Sequence, residues 1–139
     1  MYCTITDIAD DITEVTLIEL SDDLNENSVN EDLVNAKIVE MSNYIDSYLA
    51  GSYSVPVQDN SITKGVCVSL VVCDLYQRRL GLDYSDSLVS RRSIAIKTLE
   101  KLRTGIMSLP ISSVNEIVPS YYKVSSVSRK FTDEILDQF

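Results

Sequence analysis

The chain has 139 residues, near the common size of a single domain, and its net charge is −9 at pH 7. Because acids outnumber Lys and Arg, the chain is poorly suited to general binding of nucleic-acid phosphates or to adhesion on anionic membranes. It has three cysteines, Cys3, Cys67 and Cys73. An odd number without a secretory signal is typical of a protein from a reducing compartment.

The charge is unevenly distributed along the chain. Residues 1–40 hold eleven acids and one base, Lys37, whereas residues 74–103 hold seven bases and four acids. Two regions of opposite sign suit head-to-tail contact between identical copies. The alternative is that both regions are solvated helix faces.

The first part of the chain, "TITDIADDITEVTLIELSDD", predicts two short helices. We expect Thr6 to cap the first helix, with Asp7 in its first turn. Thr13 is the expected cap of the second helix. That helix carries apolar residues at Val15, Leu17, Ile18 and Leu20.

The polar segment "DLNENSVNED" that follows partly matches a calcium-binding loop. Asp23, Asn25 and Asn27 occupy the first three ligand positions. Ser28 replaces the glycine of the turn, however, and Val34 stands where a bidentate glutamate belongs. The segment is therefore either a polar turn that caps the next helix or a degenerate cation loop.

A long amphipathic helix is predicted from about Glu31 to Leu49. Its apolar residues keep the spacing of one buried stripe: Val34, Ile38, Met41, Ile45 and Tyr48 or Leu49. Gly51 is the expected stop, since glycine takes the left-handed conformation at a helix end without a side-chain clash.

The next segment, "SYSVPVQDN", alternates Tyr53, Val55 and Val57 with small residues. This pattern predicts an extended segment with one face on an apolar surface. Pro56 cannot donate a ladder hydrogen bond, so the segment is expected to be an edge or an isolated arm.

A second long helix is predicted from about Ile62 to Leu80. It is apolar nearly all round, as a central helix is, and Gly81 is its expected end. Cys67 and Cys73 lie within it and are expected to be small core residues.

A last long helix is predicted from a cap at Asp83 or Ser85 to Pro110. It carries a helical pattern of Leu88, Arg92, Ala95, Ile96, Leu99, Leu102, Ile106 and Leu109. Its sides carry basic residues at Arg91, Arg92, Lys97, Lys101 and Arg103.

After Pro110 the chain becomes rich in serine and has too little apolar content to fold alone. It still carries large apolar residues, which are expected to dock on a partner, on a neighbouring copy or on its own domain. These residues are Tyr121, Tyr122, Phe131, Ile135, Leu136 and Phe139. The helical periodicity predicts an all-α fold in two parts. Residues 1–110 form a bundle of about three long helices plus short N-terminal ones, with an arm at about 51–60. Residues 111–139 form a C-terminal tail with a short strand or helix.

The usual catalytic groups are missing from the sequence. There is no histidine, no cysteine pair with metal-ligand spacing, and no glycine-rich phosphate loop among the four glycines. We therefore expect no enzymatic activity, no metal and no cofactor.

Several segments together resemble one known family. "MYCTITDIADDI", "LIELSDD", "IDSYLAGSYSVPV", "DLYQRRLG" and the terminal "SSVSRKFTDEILDQF" occur in this order. They resemble the small head–tail adaptor, or connector, proteins of tailed bacteriophages, of the Mu-like prophage type. The most specific of them is "YLAGSYSVPV" after an amphipathic helix.

The resemblance implies a structural virion protein that assembles in the host cytoplasm and ends at the head–tail junction. It implies a ring, expected to be a dodecamer, under the portal protein, with the next connector or tail-completion protein below and DNA passing through without specific binding. It implies no role at a membrane.

In such a ring we expect the arm and the basic helix to contact a neighbour. The candidates are Tyr53, Val55, Pro56, Val57, Arg91 and Arg92. Two alternatives remain. One is another head or tail completion protein, although those are usually rich in β-structure. The other is a small helical regulatory or scaffold module with a degenerate cation loop.

Overall fold

A computed structural model of the chain describes residues 1–57, 60–81 and 85–110. Five α-helices follow one another in this part of the chain, with no β-strand among the described residues. They are α1 (Ile5–Ile12), α2 (Glu14–Ser21), α3 (Glu31–Leu49), α4 (Ser61–Leu80) and α5 (Asp86–Arg103). The predicted all-α class is confirmed. The predicted strand or helix in the tail and the proposed cap at Asp83 lie outside the described residues.

Helix α4 is the centre of the bundle, as its apolar composition predicts. It contacts all four other helices. The side chains of its middle turns are buried from every side: Val66, Cys67, Val68, Leu70, Val71, Val72, Cys73 and Leu75. A helix that is apolar all round can bury its surface only in such a position. No helix in the described part of the chain is long and apolar enough to cross a membrane.

The two short N-terminal helices form at the expected places, but one cap differs. Thr4, not Thr6, caps α1, and its hydroxyl accepts a hydrogen bond from the Asp7 N–H. The Asp7 side chain accepts in return from the Thr4 N–H at 2.9 Å, which completes a capping box. The prediction of Thr6 was wrong because it overlooked the acid three residues after Thr4. Thr13 caps α2 as expected.

Helix α3 has the predicted bounds and the predicted buried stripe of Val34, Ile38, Met41, Ile45 and Leu49. Its end differs from the expectation. The C-cap is Ala50 in the right-handed conformation, and Gly51 has no positive φ. The N–H groups of Ser52 and Tyr53 both donate to the Leu49 carbonyl, at 2.9 and 2.8 Å. The helix thus ends in a turn that needs no left-handed residue.

Helix α5 is shorter than predicted. It ends at Arg103, and Gly105 follows with φ of 74°. The Met107 N–H reaches back to the Lys101 carbonyl at 3.0 Å, which satisfies a carbonyl of the last turn. Ile106 is consequently 78% exposed and does not continue the apolar stripe. Leu109 is buried, but from the segment after the helix.

Gly81 ends α4 as predicted. It has φ of 60°, and its N–H donates to the Gln77 carbonyl at 2.9 Å. Helix α5 begins after Ser85, one of the two predicted caps, although its side chain makes no capping hydrogen bond.

Candidate interaction surfaces

The segment after α3, predicted to be an arm, is held on its own protomer. The Ser52 hydroxyl donates to the Arg103 carbonyl at 2.8 Å, and the Tyr53 hydroxyl donates to the Met107 carbonyl at 3.5 Å. Val57 is 6% exposed within the core. Residues 51–57 of the segment form turns and bends against the end of α5, with no strand among them.

The four arm residues predicted to contact a neighbouring copy therefore differ in how exposed they are. Tyr53 and Val55 are half-buried against the core, and Pro56 is exposed. Val57 is buried in the core of its own protomer. Pro56 is the most accessible of these four residues, and its contact with a neighbour stays a prediction.

Tyr2 fixes the far end of the arm, and the sequence analysis did not identify it. Its hydroxyl accepts a hydrogen bond from the Val57 N–H at 2.9 Å and donates to the Asp46 carboxylate. Its own backbone N–H donates to the Ser42 hydroxyl at 3.2 Å. Burial and the hydrogen bond to Asp46 raise the pKa of Tyr2 to about 12. No sequence pattern links residue 2 to residue 57, so only the tertiary structure could identify this contact.

Two tyrosines near the end of α3 lie beside α5. The rings of Tyr44 and Tyr48 are 5.1 Å apart, and the Tyr44 hydroxyl donates to that of Tyr48 at 3.3 Å. The Arg103 guanidinium lies 5.9 Å from the centre of the Tyr48 ring, within cation–π range. The hydrogen bond to Tyr48 and partial burial raise the pKa of Tyr44. Tyrosine and arginine are the residue types most enriched at the centres of protein interfaces.

A shallow groove runs along the adjacent face of α5. It is lined by Val89, Arg92, Ser93, Ile96, Lys97 and Glu100. The Val89 side chain is 51% exposed in this groove. The charges of Arg92 and Glu100, which line the groove, also act on the Tyr44 hydroxyl.

Part of the basic region is paired with acids of the same chain. Arg91 contacts Asp11 at 2.6 Å. Arg78 and Arg79 both contact Asp23, at 2.8 and 3.4 Å. Arg78 holds the pKa of Asp23 below its usual value. Some of the opposite charges of the two regions therefore pair within one protomer, and Arg91 is one of the paired bases.

Other bases of the predicted region make no such contact. Arg92, the second basic interface candidate, donates to the Gln77 side chain at 3.0 Å. Lys97, Lys101 and Arg103 form no ion pair with any acid in the described part of the chain. The outer side of α5 thus keeps an excess of positive charge.

The polar loop that partly matches a calcium site is held by its own carboxylate. Asp22 accepts hydrogen bonds from the N–H groups of Leu24, Glu26 and Asn27, at 3.1, 3.1 and 2.8 Å. Burial raises the pKa of Asp22, but these backbone hydrogen bonds outweigh it and leave the pKa lowered. Asp23, the first proposed ligand, faces two arginines. No group of acids in the described ranges is placed to hold a metal ion.

The cysteines lie in the core, as expected for Cys67 and Cys73. The Cys3 thiol donates to the Cys67 sulfur at 3.2 Å, and both residues are buried. This hydrogen bond lowers the pKa of Cys67 and raises that of Cys3. Cys73 donates to the Leu88 carbonyl at 3.5 Å, so it joins α4 to α5.

The six predicted docking residues of the tail lie outside the described residues: Tyr121, Tyr122, Phe131, Ile135, Leu136 and Phe139.

Comparison with known proteins identifies a family. A search of curated proteins found no match. A family model described as Bacteriophage Mu, Gp36 matches residues 2–127, which include all five helices and the first part of the tail. Because this match covers most of the chain, the protein belongs to the bacteriophage Mu Gp36 family.

Proposed function

We propose that the protein is a head–tail connector that forms a ring under the phage portal and helps to join the tail to the head. The observation that carries the proposal is the family match over residues 2–127, which indicates a structural or assembly protein of a Mu-like phage. The resemblance of the sequence to head–tail adaptors supports the finer role. The proposed role is structural and needs neither a catalytic centre nor a cofactor.

The composition of the surface supports assembly. The exposed Tyr44 lies beside Tyr48 and Arg103, and aromatic side chains next to arginine are typical of the centre of an interface. The proposed partners are further copies of the chain, the portal protein and the next connector or tail-completion protein.

The tail supplies the proposed contact with the portal. It begins after Leu109, which is buried on the bundle, so the tail leaves from a fixed point. Its large apolar residues resemble a docking segment that adds a strand or a short helix to a partner. The protein would assemble in the host cytoplasm and then stay in the virion.

The net charge suits a channel through which DNA must pass. With −9 charges the protein repels phosphate overall, and transit needs weak adhesion rather than affinity. This part of the proposal requires no DNA-binding site.

The experiment is a mass measurement by light scattering, with purified portal rings from the same phage. The full-length protein is compared with a chain that ends at Pro110, which keeps every helix of the described bundle and the buried Leu109. We expect the full-length protein to add one ring of subunits to each portal and the shortened chain to add none.

Two outcomes contradict the proposal in different ways. If neither chain adds mass at concentrations well above micromolar, the connector role is wrong. If both chains add a complete ring, the role stands but the tail is not the docking element. A melting curve of the shortened chain is the control that its bundle is folded.

A second candidate function is the regulatory or scaffold module with a cation loop. The observation that favours it is the partial ligand pattern at Asp23, Asn25 and Asn27, of which the two asparagines have φ of 58° and 53°. A rise in melting temperature on adding calcium would support it.

A further inference from the structure

One side of the bundle presents an exposed apolar residue among bases. Val89, Ser93, Lys97 and Lys101 follow one another at four-residue spacing, so they form a row along the outside of α5. Arg92 lines the same groove as Val89, Ser93 and Lys97. We call Val89, Arg92, Lys97 and Lys101 the basic surface.

Another side presents apolar residues among acids. Val15 and Glu19 lie one turn apart on the face of α2 opposite the buried Leu17, and Val15 is 68% exposed. Leu24, in the loop after α2, is 73% exposed. Glu14, Glu19 and Glu26 are exposed and form no ion pair in the parts of the chain that the structure describes. The acidic surface consists of Glu14, Val15, Glu19, Leu24 and Glu26.

We propose that the acidic surface of one copy binds the basic surface of the next, so that copies associate head to tail. This inference rests on the proposed ring and names the surfaces that build it. The occupant is a second copy because the two surfaces complement each other in charge, and each sets at least one exposed apolar side chain among its charges.

The two surfaces lie on different sides of the bundle, so the proposed contact joins unlike faces of two copies. The acidic surface lies on α2 and the loop after it, and α2 packs on α1 and α4. The basic surface lies on α5, which packs on α3 and α4. Both surfaces of one copy are thus open to two different neighbours. A contact between unlike surfaces repeats from copy to copy, and it closes into a ring when the rotation allows.

The strength expected of a single contact is low. Exposed ion pairs contribute about 0–1 kcal/mol each. The apolar residues add area, but they are few. In a ring on the portal, each copy is held by two neighbours and by its tail. These linked contacts raise the effective concentration of each surface near its partner, which stabilises the ring. The inference therefore predicts assembly on the portal rather than strong self-association in dilute solution.

The test is a charge swap. One variant carries Lys97→Glu and Lys101→Glu, which makes the basic surface acidic. The other carries Glu19→Lys and Glu26→Lys, which makes the acidic surface basic. All four side chains are exposed, so folding should be retained, and melting curves check this.

Mass added to the portal is measured for each variant alone and for an equal mixture. We expect each variant alone to lose the ring, because like charges then face each other. In the mixture we expect the ring to return, since each altered surface now meets a complementary partner. The matched control is Asp10→Lys with Asp32→Lys, which changes the net charge as much as the acidic-surface variant does but lies outside it; it should assemble like the wild type.

The outcomes separate this inference from the function on which it rests. A wild type that adds no mass overturns the connector role and the contact together. A wild type that assembles, with variants that assemble equally well or a mixture that stays inactive, overturns only the contact.

A measurement on the unaltered protein covers the case in which a variant fails to fold. Rings assembled from equal amounts of isotopically light and heavy protein are treated with a carbodiimide, which joins an amine directly to a carboxylate. We expect mixed light–heavy peptides that join Lys97 or Lys101 to Glu14, Glu19 or Glu26. Cross-links between copies that involve only other residues would overturn the proposal.

Discussion

Tyr2 shows how one side chain joins three segments that are distant in the sequence. Its backbone contacts α3 at Ser42, its hydroxyl contacts α3 again at Asp46, and the same hydroxyl satisfies the buried N–H of Val57. A buried N–H without a partner is costly, so this phenol acts as a structural acceptor for the arm.

Replacing Tyr2 with Phe should lower the free energy of unfolding by about 1–3 kcal/mol, because the Val57 N–H then loses its partner while the ring remains. Urea denaturation measures the change. Tyr44→Phe is the matched control, since that hydroxyl is exposed and bonds only to Tyr48 among the described residues; it should change stability by less than about 0.5 kcal/mol. Equal effects of the two substitutions would contradict the role given to Tyr2.

The raised pKa of Tyr2 also predicts a pH dependence. The pKa is about 12 in the folded protein and near 10.0 without the fold, so the neutral phenol is favoured by folding. The stability it supplies is fully present below about pH 10 and is lost as the pH rises toward 12. In Tyr2→Phe this titration is absent, so we expect a shallower fall of stability over that interval than in the wild type. Parallel slopes would contradict the prediction.

Asp22 has a comparable role in the loop before α3, where its carboxylate accepts three backbone hydrogen bonds. Asp22→Ala should lower the melting temperature more than Asp23→Ala does, because Asp23 forms only exposed ion pairs. Millimolar calcium should leave the wild-type melting temperature unchanged, since the Asp22 and Asp23 carboxylates already have partners. A clear rise with calcium would favour the cation-loop alternative instead.

At the scale of helices, the two glycines that follow α3 and α5 show that one residue type can end a helix in different ways. Gly105 has the positive φ that closes α5, whereas Gly51 has an ordinary φ after α3. A side chain would meet no atom at either position. Any difference between their alanine variants therefore reports backbone conformation alone.

We expect Gly105→Ala to cost about 1 kcal/mol, since a side chain disfavours the left-handed conformation. Gly51→Ala should be neutral or stabilising by about 0.4–1 kcal/mol, because it restricts only the unfolded chain. Thermal melts of both variants measure the difference. A loss at position 51 as large as at position 105 would contradict the assignment of the two helix ends.

At the scale of the whole molecule, the bundle and the tail should separate in their response to mutation. Leu99→Asp should unfold the bundle, at a cost of about 4 kcal/mol or more, because Leu99 is fully buried between α5 and the other helices. Phe131→Ser and Leu136→Ser should leave the melting temperature unchanged and abolish binding to the portal. If the tail variants melt much lower, the tail belongs to the core and does not dock.

Much of the fold could be predicted from the sequence because it depends on local periodicity. The bounds of α3, the buried stripe of α3, the central place of α4 and the end at Gly81 all follow from patterns within one helix. The errors lie at helix ends, at Thr4, Gly51 and Arg103. There the outcome depends on which backbone groups find partners, and several residue choices satisfy the same pattern.

The all-α class, the order of the long helices and the opposite charge of two regions can be read from the sequence alone, since each is a property of neighbouring residues. Which charges remain available depends on the tertiary structure. It pairs Arg91 with Asp11 and Arg78 with Asp23 inside the protomer, and it leaves Lys97 and Lys101 on the outside of α5. The tertiary structure also places the arm against Tyr2. Both outcomes depend on distances between segments far apart in the chain, which no local pattern specifies.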